Sequence, residues 1–249
     1  MYARVVALTG AGISTESGVP DFRGPQGLWA KDPDAMRTVT RKAFLSDREV
    51  RRKFWRMCVE AYRSTPEPNA AHRALVDLER AGLLRGIITQ NVDRLHQGAG
   101  SAEDRVLEVH GTMATTRCLR CGLRTATVEV VARVRDEGEA EPLCLYCGGT
   151  LKPDAVFFGD MLDRAVFGHA TALALGCDLL LAIGSSLQVE PAAGLCAAAV
   201  EAGADLVVVN AEPTPYDDFA ADVVRDPIGT AVPRLVERLI AGAAGAGAG

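Results

Sequence analysis

The stretch Val5-Val6-Ala7-Leu8-Thr9-Gly10-Ala11-Gly12-Ile13-Ser14 joins an apolar run directly to a glycine-rich turn. A short run of consecutive apolar residues is typical of a strand that is buried on both faces of a parallel sheet. Glycines after such a strand let backbone amides approach a phosphate group at the start of the next helix. The stretch therefore predicts the first strand of an α/β sheet and one part of a nucleotide site.

Four apolar runs of this kind recur along the chain, and segments of helical periodicity separate them. The predicted strands are Arg4–Leu8, Leu83–Thr89, Asp178–Ile183 and Asp205–Val209. The predicted helices run from Asn69 to Ala81, from Asp163 to Leu175, from Pro191 to Ala202 and from Val232 to Ile240. Strands that alternate with helices imply βαβ units, so we expect a doubly wound parallel α/β sheet.

The composition excludes several classes of protein. The chain has 249 residues, 48% of them hydrophobic, and its 27 Lys and Arg against 32 Asp and Glu give a net charge of −5. An acidic chain is a poor candidate for binding nucleic acid, because phosphate binding requires a basic surplus. No apolar run reaches the roughly 18 residues that span a bilayer, and the N-terminal apolar segment is too short for a signal peptide. We therefore expect a soluble intracellular protein with neither nucleic acid nor membrane as a partner.

Four of the seven cysteines form two matched pairs. Two residues separate Cys118 from Cys121 and Cys144 from Cys147, and a glycine follows each pair. This spacing predicts one structural zinc ion in a closed site of four thiolates, with redox-active thiol pairs as the alternative. Four thiolates require a reducing environment, which favours a cytoplasmic protein. The remaining cysteines lie among apolar residues and are predicted to be buried packing thiols: Cys58, Cys177 and Cys196.

Two segments interrupt the alternation of strands and helices. One contains the helix-capping pattern Ser46-Asp47-Arg48-Glu49, and the other contains the four paired cysteines. We expect them to form a smaller inserted domain, with residues 31–68 as a helical insertion and residues 113–152 as a zinc module. The sheet domain would then comprise residues 1–30, 69–112 and 153–240. The tail 241–249 contains only alanine and glycine and is expected to be disordered.

Glycine and small polar residues gather after the predicted strands. The segments concerned are Thr9–Ser14, Thr89–Asp93, Gly184–Ser186 and Asn210–Glu212. Open α/β sheets bind ligands at the carboxyl ends of their strands, so these segments favour a nucleotide site over tight turns alone. The third glycine of the usual dinucleotide fingerprint is displaced, and no acidic residue ends a strand about 20 residues further on. A dehydrogenase of the ordinary hydride-transferring type is therefore not expected.

One of the four histidines is a candidate catalytic base. His110 follows the strand-like segment Arg105–Val109 and precedes Gly111, which predicts a position at the mouth between the sheet and the zinc module. Histidine titrates near neutral pH and can serve there as a general base. His72 and His169 lie in predicted helices and are expected to have packing or surface roles.

Several motifs, taken in order, resemble those of the sirtuins, the NAD-dependent protein lysine deacylases. The first is GAGISTESGVPDFR, from Gly10 to Arg23. It is followed by Thr89–His96, His110-Gly111, the four paired cysteines, Val156–Gly159, Gly184–Leu187 and Asn210–Pro213. The resemblance extends from about Arg4 to Val236. In Phe157–Asp160 and Gly184–Val189 it is closest to the class II branch, although Asp160 stands where many members carry glutamate.

The resemblance implies a Rossmann-like NAD-binding domain, a small domain with zinc and helices, and an acyl-lysine peptide bound beside NAD. NAD would be a consumed co-substrate. The residues implied to surround NAD are Gly10, Ala11, Gly12, Thr15, Asp21, Phe22, Arg23, Gln90, Asn91, Val92, Asp93, Gly184, Ser185, Ser186, Asn210, Ala211, Glu212 and Ile228. The acylated protein substrate would contact Val156, Phe158 and Gly159 and pair with this segment as an added strand.

The resemblance also implies a catalytic scheme. Asn91 and Asp93 would favour loss of nicotinamide, the acyl oxygen would attack C1′ of the ribose, and His110 would deprotonate a ribose hydroxyl. The products would be free lysine, nicotinamide and O-acyl-ADP-ribose. Two alternatives stay open: a mono-ADP-ribosyltransferase, which uses a protein nucleophile, and a non-catalytic zinc-containing module that only binds NAD or acyl-lysine.

The chain departs from one sirtuin branch at the positions that select acidic acyl groups. That branch uses a Tyr-x-x-Arg pair, whereas the nearest counterparts here are Trp55 and Cys58. A carboxylate in an apolar tunnel requires a cation, so removal of succinyl groups is not expected unless Arg56 supplies the charge. The sequence leaves the preferred acyl group and the oligomeric state open.

Overall fold

The computed structural model of the chain describes residues 2–21, 27 and 34–246. The chain divides into two compact units. The first comprises Met1–Asp21, Pro66–Val109 and Asp163–Gly249, and the second comprises Phe22–Thr65 and His110–Leu162. Within the described ranges, no helix combines the length and the apolar character that crossing a bilayer requires.

Strands and helices of the described residues are numbered along the chain. The strands are β1 (Val5–Thr9), β2 (Leu84–Thr89), β3 (Val106–Glu108), β4 (Thr115–Cys118), β5 (Arg124–Ala126), β6 (Leu151–Pro153), β7 (Leu179–Ile183), β8 (Asp205–Val209) and β9 (Asp222–Val224). The helices are α1 (Ala35–Thr38), α2 (Arg41–Ser46), α3 (Arg48–Ala61), α4 (Ala70–Arg80), α5 (Leu95–Ala99), α6 (Thr127–Asp136), α7 (Arg164–Gly176), α8 (Gly194–Glu201) and α9 (Ile228–Ala246). A short 3-10 helix, Ala11–Ser17, follows β1.

The first unit contains a six-stranded sheet in the order β3-β2-β1-β7-β8-β9, and all its strands are parallel. The first three strands are added in one direction and the last three in the other, so the order reverses between β1 and β7. This confirms the predicted doubly wound sheet. In such sheets, ligands bind outside the carboxyl ends of the strands at the reversal point, where Thr9 lies beside Ile183.

Helices cover both faces of this sheet. Val5 and Ala7 of β1 pack with apolar residues of α4 and α9 on one face, whereas Val6 and Leu8 pack with residues of α7 and α8 on the other. All five residues of β1 are buried, as expected for a strand that is covered on both sides.

The structure corrects three predicted helix boundaries, and one of them is the start of the last helix, which begins at Ile228 and not at Val232. The prediction that a helix starts at Pro191 is wrong, because residues 191–193 form a turn and the Glu190 carboxylate accepts the amide of Gly194, where α8 begins, at 3.0 Å. The prediction of a disordered tail is wrong for residues 241–246, which continue α9. Alanine has the highest helix propensity, and extending a helix is easier than nucleating one. Residues 247–249 lie outside the described residues.

The second unit combines a three-stranded antiparallel sheet, in the order β5-β4-β6, with helices α1–α3 and α6. The carboxylate of Asp47 caps α3 by accepting the amide of Glu49 at 2.9 Å. Residues 153–162, which the sequence grouped with the sheet domain, cluster with this unit because Pro153 pairs with Thr116 of β4.

Candidate functional site

The loops after β1 and β7 approach each other at the reversal point of the sheet. The amide of Gly10 donates to the carbonyl of Ile183 at 3.0 Å, and that of Gly12 donates to the carbonyl of Gly184 at 2.8 Å. A Cβ on Gly184, whose φ is +62°, would lie 2.2 Å from the nitrogen of Ile13. The structure therefore brings the predicted glycines together. Because their amides bond within the fold, Gly10 and Gly12 contribute a close backbone approach, not phosphate donors.

Three polar side chains form a hydrogen-bonded cluster beside this turn. The hydroxyl of Ser14 donates to Asp93 Oδ2 at 2.7 Å, and Asn91 Nδ2 donates to Ser14 Oγ at 3.2 Å and to the Gly10 carbonyl at 3.1 Å. Ser14 is fully buried and Asn91 is 8% exposed. Asp93 Oδ1 also accepts the amide of Leu95, the first residue of α5, at 3.0 Å. The structure thus unites the predicted pair Asn91 and Asp93 and adds Ser14, for which the sequence predicted no role of its own.

The loops after β2 and β7 meet through two predicted residues. Gln90 Nε2 donates to Ser185 Oγ at 2.8 Å, and the same oxygen accepts the amide of Leu187 at 3.2 Å. Leu187 has a left-handed backbone with φ +52°. The side chain of Ser185 therefore holds its own loop in shape and links it to the loop that carries Asn91.

The remaining predicted NAD contacts after β1, β2 and β7 lie in the same loops as these hydrogen bonds. Ala11 and Thr15 lie in the 3-10 helix, and the hydroxyl of Thr15 donates to the carbonyl of Gly12 at 2.9 Å. Val92, Ser186 and Asp21 are half-buried. The predicted contacts Phe22 and Arg23 lie outside the described residues.

An arginine that the motifs did not indicate organises the loop after β8. The guanidinium of Arg225 donates to the carbonyls of Asn210 at 2.7 Å and Glu212 at 3.2 Å, and it pairs with the carboxylate of Asp217. Asn210 Nδ2 donates to the carbonyl of Glu212 at 2.8 Å, so Asn210, Ala211 and Glu212 form one held turn. Arg225 lies 15 residues beyond Asn210, outside every motif, and nothing in the sequence pointed to it.

Glu16, in the motif from Gly10 to Arg23, contacts the helix start at which the predicted NAD contact Ile228 lies. Ile228 begins α9, and the next amide, that of Gly229, donates to Glu16 Oε1 at 2.9 Å. A carboxylate at the start of a helix is favourable because backbone N–H groups carry partial positive charge there. The contact fixes the start of α9 against the segment after β1.

In the second unit, His110 lies next to the predicted substrate segment. The carbonyl of His110 accepts the amide of Val156 at 2.8 Å. Gly111 has φ +69°, and a Cβ there would lie 2.1 Å from the carbonyl oxygen of Asp154, so the chain passes too closely for any other residue. The structure thus brings together His110 and Val156.

The backbone of Phe158 is already paired. Its amide donates to the carbonyl of Val39, and its carbonyl accepts the amide of Arg41, both at 2.9 Å. These two groups form a parallel bridge beside Thr40. They are occupied within the unit and are therefore not offered to an added strand.

Asp160 fixes the turn that carries Gly159. Its carboxylate accepts the amide of Phe157 at 2.9 Å and forms ion pairs with Arg41 at 3.0 Å and with Lys152 at 2.9 Å. Lys152 is buried, and its Nζ lies 4.0 Å from the centroid of the Phe157 ring. Burial lowers the pKa of Lys152, while the partly buried Asp160 favours its charged form.

The four paired cysteines converge at one point. Their sulfur atoms all lie within 4.8 Å of one another, with Cys118 Sγ 3.4 Å from Cys147 Sγ and Cys121 Sγ 3.8 Å from Cys144 Sγ. Sulfurs bound about 2.3 Å from a tetrahedral zinc ion lie about 3.8 Å apart. The donor set and its spacing therefore fit a structural zinc ion with no open coordination position.

Both cysteine pairs sit on the same type of turn. The amide of Gly122 donates to the carbonyl of Cys118 at 2.9 Å, and that of Gly148 donates to the carbonyl of Cys144 at 2.8 Å. The two glycines have φ of +76° and +68°, which explains why a glycine follows each pair.

The other cysteines are buried thiols, as predicted. Burial raises the pKa of Cys58 to about 12, that of Cys177 to about 11 and that of Cys196 to about 12. They are protonated at neutral pH and therefore poor nucleophiles.

With this geometry established, the chain is seen to belong to the Sir2 family, whose model matches residues 10–191. The NAD-dependent protein deacetylase 2 of Streptomyces coelicolor is 52% identical over 235 residues, 94% of this chain and 97% of that protein. The NAD-dependent protein deacetylase 1 of Bradyrhizobium diazoefficiens is 43% identical over 227 residues, 90% of this chain and 87% of that protein.

Solved Sir2 structures share the fold across almost the whole chain. A Sir2 enzyme with 40% identity superposes with a TM-score of 0.86 and covers 96% of this chain and 94% of its own. A Sir2 complex with p53 peptide and NAD+ has 36% identity, a TM-score of 0.84 and coverage of 95% and 93%. The Rossmann-like sheet with a small second sheet is therefore the sirtuin fold.

Proposed function

We propose that this chain is an NAD-dependent protein lysine deacylase, which transfers an acyl group from lysine to ADP-ribose and releases nicotinamide. The observation that carries the proposal is the hydrogen-bonded cluster of Ser14, Asn91 and the half-buried Asp93 at the reversal point of the sheet. The relatives named NAD-dependent protein deacetylases support it. So do Sir2 structures that contain deacetylated p53 peptide and acetyl-ADP-ribose.

In this proposal, Asn91 contacts NAD through its carbonyl oxygen. Its Nδ2 is occupied by Ser14 and Gly10, which leaves Oδ1 as an acceptor for a ribose hydroxyl or the carboxamide of nicotinamide. Asp93 keeps its carboxylate in place through Ser14 and the start of α5. Because these groups are fixed before the ligand arrives, little reorganisation is needed when nicotinamide leaves.

We assign each remaining predicted NAD contact to a part of NAD according to the loop in which it lies. We expect the loop with Ser185 and Ser186 to bind phosphate and ribose, since its hydroxyls follow a strand at the reversal point. The turn with Asn210 and Glu212, together with Ile228, would receive the adenosine end. Arg225 supports that end indirectly by holding the turn.

We propose His110 as the general base and Val156 and Gly159 as the residues that contact the acylated substrate. The backbone groups of Phe158 are already bonded, so its contribution would come from the side chain, which is 37% exposed. An added peptide strand would pair through Gly159, whose φ of +90° follows from the turn that Asp160 fixes. His110 would remove a proton from a ribose hydroxyl so that it attacks the carbon of the acyl group.

We propose a preference for neutral acyl groups. Trp55 is fully buried against Phe54, with ring centroids 5.3 Å apart, and Cys58 is 5% exposed. Neither an indole nor a thiol carries a positive charge, so these two residues supply no cation for an acidic acyl group. Arg56 lines an open groove of about 580 Å³ together with Met57 and other residues of α3 and α6. Acetyl-, propionyl- and butyryl-lysine peptides should therefore be processed faster than a succinyl-lysine peptide of the same sequence.

The deciding experiment incubates the zinc-loaded protein with NAD and an acetyl-lysine peptide, followed by mass spectrometry. Nicotinamide and O-acetyl-ADP-ribose in equal amounts are expected. ADP-ribose attached to protein, without deacetylated peptide, would support transfer instead, and unchanged NAD would support a binding module. His110→Ala should be inactive, whereas His169→Ala, at an exposed position of α7, is the matched control and should keep wild-type activity.

We also propose that the protein is located in the cytoplasm, which is a reducing compartment. None of the seven cysteines, all of which lie in the described part of the chain, forms a disulfide, and a four-thiolate zinc site is lost when its sulfurs are oxidised. Zinc content should therefore fall when the purified protein is treated with a mild oxidant, as colorimetric zinc release would show.

A further inference from the structure

Two histidines without a part in the site described above lie side by side inside the first unit. His72 of α4 is 0% exposed and His96 of α5 is 1% exposed, and their ring centroids lie 4.9 Å apart. Buried polar atoms are costly unless they are hydrogen-bonded. Among the described residues, however, His72 Nε2 and His96 Nδ1 are both buried without a hydrogen-bond partner. Packing alone does not explain two imidazoles at this position.

His96 ends a chain of hydrogen bonds that reaches Asn91. The hydroxyl of Thr9 donates to Thr89 Oγ1 at 2.9 Å, so the oxygen of Thr9 is left to accept from His96 Nε2, also at 2.9 Å. Thr89 Oγ1 in turn accepts the backbone amide of Asn91 at 3.1 Å. His96 therefore carries its proton on Nε2, and its Nδ1 is an acceptor.

His72 is connected through Asn69 to the 3-10 helix that follows β1. The amide of Asn69 donates to His72 Nδ1 at 3.3 Å in the capping box of α4. Nδ1 also lies 3.0 Å from Asn69 Oδ1, but that oxygen already accepts the amides of Ala71 and His72, so the proton of His72 belongs on Nε2. Asn69 Nδ2 donates to the carbonyl of Ile13 at 2.7 Å and to Ser17 Oγ at 3.1 Å.

The two unpaired nitrogens are therefore complementary, because His72 presents a donor and His96 an acceptor. Two charged groups influence the pKa of His72: the carboxylate of Asp93 raises it and the guanidinium of Arg73 lowers it. The pKa of His96 is lowered by His72 itself. Burial keeps both rings neutral and is the largest influence on each. The donor nitrogen of one neutral ring and the acceptor nitrogen of the other can link the hydrogen bonds of His72 to Asn69 with those of His96 to Thr9.

We propose that His72 and His96 are positioning residues for the cleavage of NAD, which hold the segment Ile13–Ser17 and Asn91 in one arrangement. One ring holds the 3-10 helix through Asn69, and the other holds the backbone of Asn91 through two threonines. This proposal rests on the proposed function, because it gives the pair a part in the same reaction.

The test separates the hydrogen bonds of the pair from its packing. His96→Leu removes the donor to Thr9, whereas His96→Gln keeps an N–H group near the position of Nε2. We expect His96→Leu to raise KM for NAD and to lower the rate of nicotinamide exchange by about tenfold each, since a buried acceptor loses its partner. KM for the peptide should not change. His96→Gln should recover both quantities to within about threefold of the wild type.

A second variant covers the case in which His96→Leu does not fold. His72→Asn keeps a polar atom near Nδ1 and so keeps the capping box, but it deletes the nitrogen that is complementary to His96. We expect the same NAD-specific loss, by about threefold. Leu195→Ala is the matched control, because it removes a buried side chain among the residues that cover the opposite face of the sheet and leaves the pair intact.

The inference is overturned if the histidine variants change KM for NAD and KM for the peptide in the same proportions as Leu195→Ala. A folded His96→Gln that is as impaired as His96→Leu would also overturn it. A wild-type protein that does not consume NAD would instead contradict the proposed function, so the two failures are distinguishable.

Discussion

Replacing Gly184 by alanine tests the close approach between the loops after β1 and β7. Gly184 has φ +62°, and an added Cβ would lie 2.2 Å from the nitrogen of Ile13 and 2.6 Å from the carbonyl carbon of Gly12. A left-handed backbone costs a non-glycine residue about 1–2 kcal/mol. Forcing a methyl group into packed surroundings costs about 1–3 kcal/mol more. The free energy of unfolding of Gly184→Ala should therefore fall by about 2–5 kcal/mol.

Gly82→Ala is the matched control for this prediction. Gly82 has φ +75°, but no atom lies within 4 Å of an added Cβ, so only the backbone cost of about 1–2 kcal/mol should appear. Urea unfolding followed by far-UV circular dichroism measures both variants, and equal m-values would show that the same surface unfolds. If the two variants lose the same free energy, the two loops are not in tight contact and the explanation of this turn is refuted.

Replacing His110 by alanine should abolish deacylation while circular dichroism and zinc content match the wild type, and wild-type turnover would remove His110 from the mechanism. Cys118→Ser should lower the bound zinc measured by atomic emission and the melting temperature, and a stable, active variant without zinc would contradict a structural zinc site. Burial lowers the pKa of His72 to about 4 and that of His96 to about 3. Because the unfolded chain protonates these groups below about pH 6.5, they do not affect stability above that pH. From pH 6.5 to pH 5, stability should fall by about 2 kcal/mol per histidine, and the loss should level off below the folded pKa. Urea unfolding of His72→Asn should show a shallower pH dependence than the wild type, and an identical dependence would contradict these protonation states.

Much of the fold could be predicted because burial on both faces of the sheet leaves a clear pattern. Asp205–Val209 was predicted with the boundaries that the structure shows, and the other three long strands differ by one residue at one or both ends. β9, with three partly exposed residues, was missed because so short a strand has no pattern of its own. Its position depends on pairing with β8, which the local sequence does not encode.

The candidate site was predicted where chemistry and spacing coincide. Four cysteines at matched spacing point to one metal, and Asn91 and Asp93 lie two positions apart just after a strand. Arg225 was missed because its role depends on where the chain folds back, not on its neighbours in the sequence. His72 was expected to have a packing or surface role, and its contact with His96 could not be predicted because it joins two separate helices and is visible only in three dimensions.

The order of the strands has a consequence for synthesis on the ribosome. β1 lies in the centre of the sheet, yet Arg4 at its start contacts Asp178 beside β7, 174 residues later. At about 5–20 residues per second, roughly 9–35 s pass between the emergence of the two strands. All residues of the second unit emerge in that interval, so its cysteines can bind metal before the sheet closes. Until β7 emerges, the apolar strand β1 can pair with β2 on one side only, and its other edge has no partner strand. We expect chaperones at the ribosome exit to bind the nascent chain at this edge.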